Sequence, residues 1–73
     1  MNSIVRLSPR EADVLCLIAQ GCTYSQAARR LGVSPNTITT YIKSSYCKLN
    51  VHSAGAAVMR AVELGIIKPG ASR

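Results

Sequence analysis

Nine Lys and Arg against three Asp and Glu in 73 residues give a net charge of +6, which in one small domain favours an anionic partner, most often nucleic acid. A hydrophobic content of 48% argues against disorder, and no apolar run approaches the roughly 18 residues a membrane span needs. A chain of this length buries only about 60% of its unfolded surface, and with no Trp and no Phe its core must come from Leu, Ile, Val and Ala, helped by Tyr.

The chain reads as helices throughout, each opened by a capping residue. Ser8-Pro9-Arg10-Glu11 begins the first, over about residues 9–20: Ser8 is the cap, Pro9 fits the first helical position and Glu11 completes a capping box. Val14, Leu15, Leu17, Ile18 and Ala19 give it a wide apolar face, and Gly21 ends it in the left-handed region. Thr23-Tyr24-Ser25-Gln26 is a second capping box, opening a short helix over about 24–31 whose Ala27, Ala28 and Leu31 point inward while Arg29 and Arg30 point away. Gly32 stops it, and Ser34-Pro35 at once starts a third helix over about 35–49. A short helix, a tight turn and a longer helix form a helix-turn-helix arrangement, in which the small Ala27-Ala28 pair permits close approach.

The third helix carries the most information. At about 100° per residue, Ile38, Ile42, Ser45 and Leu49 share one side, and Asn36, Thr39, Thr40, Lys43 and Cys47 the other. The second face is either a surface that reads a partner through short hydrogen-bonding groups or an ordinary solvated face. Asn50 is a left-handed cap, and Ser53 caps a fourth helix over about 54–64. Its Ala57, Val58, Ala61, Val62 and Leu64 make an apolar side wider than one small core requires. Gly65 ends it, Ile66-Ile67 tuck back onto the core, residues 68–73 read as a frayed tail, and residues 1–6 as an N-terminal arm. The fold class is all-α, a four-helix bundle containing a helix-turn-helix, with the domain spanning 7–67.

Leu7-Ser8-Pro9-Arg10-Glu11, then Val14-Leu15 with Leu17, Ala19 and Gly21, then Ala28, Leu31, Val33, Ser34 and Thr37-Ile38 follow one another at fixed spacing. Lys48-Leu49 with Val51, and Ala57, Ala61 and Gly65-Ile66-Ile67, complete the set. Together they resemble the DNA-binding domain of LuxR/FixJ-type (GerE-like) bacterial transcription regulators over about residues 7–67. The resemblance implies a third helix in the major groove of duplex DNA with Thr39, Thr40 and Lys43 toward the bases, joined by Asn36, which could pair with adenine or hold a phosphate. Lys43 would donate to guanine, and each Thr would offer a hydroxyl to a base edge and a methyl to thymine. Phosphates would be held by the N-terminal amides of the second and third helices with Thr23, Ser25, Thr37, Tyr41 and Lys48, assisted by Arg29 and Arg30. It also implies a homodimer through the fourth helix, at Val58, Met59, Ala61 and Val62.

The sequence departs from the family pattern at several positions. Thr39 stands where Lys is usual, Tyr41 where His is usual, Ser25-Gln26-Ala27 in place of K-E-I, and Ala54 where Arg is usual. About three cations are thereby absent, which lowers the expected affinity for the DNA backbone and its salt dependence. Ser45 occupies a position where a core Ile is common, so its hydroxyl must bond back to the preceding turn.

The remaining residues suggest no chemistry. Tyr24, Tyr41 and Tyr46 read as packing residues with a wet hydroxyl, and His52 as a turn residue. Cys16, Cys22 and Cys47 are odd in number and form no C-x-x-C pair, as expected of free thiols in a reducing compartment; Cys47 is either an exposed inert thiol or a contact on the third helix. No nucleophile–base set, phosphate loop or metal cluster is visible, so neither an enzyme nor a cofactor is expected. The N-terminal residues lack the basic region and long apolar run of a signal peptide, and the expected location is the bacterial cytoplasm, on the nucleoid. The partner is double-stranded DNA; the competing reading is a module of the same fold that binds RNA polymerase or a longer regulator. With Met1 so near the first motif, the chain is either a short regulator or a domain cut from a protein with a sensing domain.

Overall fold

The computed structural model describes residues 6–68. The arm expected over 1–6 and the tail over 68–73 therefore lie, apart from Arg6 and Lys68, outside the described residues. Four helices follow in order: α1 (Pro9–Ala19), α2 (Tyr24–Leu31), α3 (Pro35–Leu49) and α4 (Ala54–Glu63). No strand occurs among the described residues. α1 and α3 form the centre: each packs against all three other helices, whereas α2 and α4 do not meet.

Every helix starts as its capping residue dictates. The Ser8 hydroxyl accepts from the Glu11 amide at 3.2 Å while the Glu11 carboxylate accepts from the Ser8 amide at 2.8 Å. Thr23 and Gln26 repeat the arrangement at α2, and Ser34 and Ser53 accept from the amides of Thr37 and Ala56. Each such cap stabilises its helix by about 1 kcal/mol. The first and last helices each end one residue earlier than expected, at Ala19 and Glu63. Gln20 and Leu64 are the respective C-caps, and Leu64 is exposed instead of widening the buried face. At the turn between α2 and α3, Gly32 has φ +71°, a conformation that a side chain disfavours by about 1 kcal/mol or more. Asn50 takes φ 58° after α3, as expected of its cap.

Val14, Leu15, Ala27, Ala28, Ile38, Ile42, Leu49, Ala57, Ala61 and Ile67 make up the core. The predicted inner stripe of α3 is the observed one, Ser45 included. That serine is fully buried, and its hydroxyl donates to the Tyr41 carbonyl at 2.8 Å, so no polar atom is left stranded. Small residues line two contacts: Ala27 and Ala28 where α2 meets α3, and Ala57 and Ala61 where α4 meets the central pair. A domain this size holds about 4–10 kcal/mol of net stability, and truncating one buried side chain such as Ile38 removes about 2–5 kcal/mol.

One polar group is sealed into this arrangement. Glu11 is 4% exposed. Besides the Ser8 amide, its carboxylate accepts from the Ser44 hydroxyl and from Lys48 Nζ at 2.8 Å, both on α3. Burial alone would raise its pKa; hydrogen bonds from Lys48, Ser44 and Ser8, with the Lys48 charge, overturn this and hold it at about 2 instead of 4.5. A folded-state pKa below the unfolded one stabilises the fold above pH 4.5, and the contribution disappears as pH falls toward 2. Glu11→Gln is expected to cost about 2 kcal/mol at pH 7, with its gap from the wild-type chain closing as pH is lowered through that window, as followed by urea denaturation at a series of pH values.

Candidate nucleic-acid interface

α3 is held from beneath by Ile38, Ile42, Ser45 and Leu49, so its opposite side is fixed in orientation. On that side Asn36, Thr40, Lys43 and Cys47 are exposed and Thr39 is half-buried. All four residues expected to face bases therefore share one surface, together with Cys47. The surface carries no acid, and Lys43 gives it positive charge. Two hydroxyls on it are already engaged: Thr39 donates to the Pro35 carbonyl and Thr40 to the Asn36 carbonyl, each at 3.2 Å.

The residues expected to hold phosphates are more dispersed. Thr23 and Ser25 are exposed at the start of α2, with the Thr23 oxygen accepting from the Gln26 amide. Thr37 and Tyr41 are half-buried; the Thr37 hydroxyl lies 3.1 Å from that of Ser34, and Tyr41 packs against the core. Arg29 and Arg30 are exposed, but beside a separate shallow recess of about 380 Å³ that they line with Gln20, Gly21, Cys22 and Gln26.

Lys48, expected to face a phosphate, pairs its amine with Glu11 at 2.8 Å while its side chain stays 43% exposed. The sequence showed Glu11 in its capping box, but its partners 33 and 37 residues away were missed. The available hint was Ser44 and Lys48 one turn apart on the flank of the apolar stripe, with few acids in the chain to meet them. Ala61, expected at a dimer contact, is fully buried in the chain's own core. Of the α4 residues expected there, Met59 is 66% exposed, while Val58 and Val62 are half-buried.

Tyr46 is half-buried against the core, and burial raises its phenol above the usual 10.0 with the Tyr24 hydroxyl beside it, as suits a packing residue. Among the described residues no group of His, Cys, Asp and Glu is placed to hold a metal ion, Cys16, Cys22 and Cys47 are free thiols, and no helix is long and apolar enough to cross a membrane.

Comparison with known proteins places this geometry. Residues 5–61 match the family described as bacterial regulatory proteins, luxR family. The chain is 42% identical over 60 residues to the transcriptional activator protein CarR of Pectobacterium carotovorum subsp. carotovorum, covering 82% of this chain and 25% of that protein. It is 40% identical over 65 residues to the transcriptional activator protein EsaR of Pantoea stewartii subsp. stewartii, covering 89% and 26%. To the quorum sensing-dependent transcriptional regulator VjbR of Brucella ovis it is 39% identical, covering 90% and 26%. The chain thus spans about a quarter of the length of these curated relatives. The structure of the transcription factor GerE superposes with a TM-score of 0.78 at 24% identity, over 81% of this chain and 88% of that one, and shares its fold.

The two lysines of α3 separate by experiment. Lys43→Ala is expected to leave stability within about 0.5 kcal/mol of the parent, whereas Lys48→Ala, which strips the buried carboxylate of its counter-charge, lowers it by about 1–2 kcal/mol; urea midpoints at pH 7 measure both.

Proposed function

The chain belongs to the luxR family of bacterial regulatory proteins, and on that footing we propose that it binds duplex DNA sequence-specifically as the reading domain of a transcription regulator. The observation that carries this reading is the outer face of α3: Asn36, Thr39, Thr40 and Lys43 on one rigidly backed surface without an acid. A helix of that kind enters the major groove, where Lys43 suits guanine O6/N7 and Asn36 suits adenine. The N-terminal turns of α2 and α3, with Thr23, Ser25, Thr37 and Tyr41, suit phosphates, and Arg29 and Arg30 add charge nearby in sequence.

Homodimerisation through α4 is part of the proposal, with Val58, Met59 and Val62 as the contact and Ala61 beneath them. Two copies would meet a two-fold-symmetric site with half-sites about 34–36 Å apart. Such a domain acts on the nucleoid in the bacterial cytoplasm, and RNA polymerase or a longer regulator is a further partner in this scheme. The cations missing at Ser25, Thr39, Tyr41 and Ala54 support a second reading, in which the fold binds another protein and DNA only weakly.

Fluorescence anisotropy against random duplexes and duplexes enriched by in vitro selection, at about 50 and about 200 mM salt, tests the first reading. The expected result is tighter binding to the enriched duplex at both salts. Equal, weak binding to both duplexes would move the assignment to the second reading. Lys43→Ala is expected to reduce the preference about tenfold and the salt slope by about one; an unchanged preference would remove α3 from the major groove. Sedimentation is expected to show a concentration-dependent dimer that Val62→Lys abolishes, and a monomer at every concentration would eliminate the α4 contact.

A further inference from the structure

We infer that the recess beside Arg29 and Arg30 is a docking site for an acidic segment of a partner protein, separate from the surface offered by the outer face of α3. Gln20, Gly21 and Cys22 line it from the end of α1 and the turn that follows, and Gln26, Arg29 and Arg30 line it from α2. At about 100° per residue, these three α2 residues take the side opposite Ala27 and Ala28, which are buried where α2 meets α3. The recess therefore lies on the flank of α2 turned away from that contact.

Its charge is of one sign. Both arginines are exposed, no acid lines the recess, and neither arginine joins an ion pair among the described residues. A guanidinium presents a planar fork of N–H donors that matches a carboxylate, and two in succession suit two carboxylates on a short run of chain. Gln26 adds to the donors: its side-chain oxygen accepts from the Thr23 amide at 2.8 Å, which leaves its NH2 group to donate. The α1 side differs in kind, because the backbone carbonyls of Gln20 and Gly21 accept no hydrogen bond among the described residues. A peptide brings both complements, carboxylates for the arginines and amide N–H groups for the carbonyls, whereas a DNA backbone carries acceptors only. A second copy of the chain is a poor occupant, since its net charge is +6 and one of its three acids is the buried Glu11.

The test titrates a short acetylated and amidated peptide of alternating Glu and Gly into the nitrogen-15-labelled chain, at about 150 mM salt, where screening confines nonspecific attraction to about 8 Å. Amide shift changes are expected around Gln20–Cys22 and Gln26–Arg30 and not along the outer face of α3. The same peptide with Gln in place of Glu is expected to produce none. Arg30→Gln is expected to weaken binding about tenfold. Arg10→Gln, which removes the same charge from the exposed first turn of α1, is expected to change it by less than about twofold. Shift changes scattered over all the basic residues, or equal losses in the two variants, would overturn the inference, because net charge alone would then explain the attraction; so would an absence of binding. Circular dichroism confirms that both variants fold. In a second arm, the chain saturated with its enriched duplex is expected to bind the peptide within about threefold of the free chain. Displacement of the peptide by duplex would assign the two arginines to the DNA backbone and overturn the inference. If no duplex is enriched, the DNA-binding reading fails, while the titration of the free chain still decides this one.

Discussion

A single carboxylate joins the two central helices. Glu11 caps the start of α1 through the Ser8 amide and receives Ser44 and Lys48 from α3. A buried charge without donors would be expelled or protonated, and these three donors together keep it ionised inside. The result is directional. The apolar stripe sets which side of α3 turns inward, and a carboxylate that must meet a hydroxyl and an ammonium one turn apart adds a register along the helix. The orientation of the outer face of α3 follows from the two together.

The rest of the packing leaves little slack around this pair. With alanines at the α2 and α4 contacts and no Trp or Phe, the helices lie close together and the core volume is small. Close-packed interiors respond to single methylene groups. The third helix is thus located by three independent devices: the Glu11 contacts toward its C-terminal half, the alanine contact with α2, and the left-handed Gly32 in the turn before it. Each constrains a different degree of freedom.

What could be read from the chain divides by range. Caps, helix bounds and the inner stripe of α3 rest on neighbours within one turn or on a fixed angular period, and these emerged as expected at Ser8, Thr23, Ser34, Asn50 and Ser53. The back-bonded hydroxyl of Ser45 was legible for the same reason. The Glu11 partner of Lys48 was not legible because it is distant in sequence, and a lysine near a helix end looks the same whether or not it meets a carboxylate. Ala61 was misread because α4 has apolar residues on more than one side, and periodicity alone does not say which side turns inward. Of the candidate base-facing set, all four residues share the outer face. The internal bonds of Thr39 and Thr40 were not legible, since threonine in a helix has two rotamers of similar standing.

The separation between Glu11 and its α3 partners has a consequence for how the chain assembles. α2 and α3 are joined by three residues, so their alanine contact closes a short loop and can form early. Glu11 meets Ser44 and Lys48 only after 33 and 37 residues have been brought round, a step that gains nothing until α3 already exists as a helix. The packing of α1 on α4 spans a greater separation still, while the short connections between successive helices suit the microsecond-to-millisecond folding of helical domains. The helix-turn-helix unit therefore closes over the shortest connection in the fold, and the carboxylate of Glu11 ties it to α1 across a much longer one.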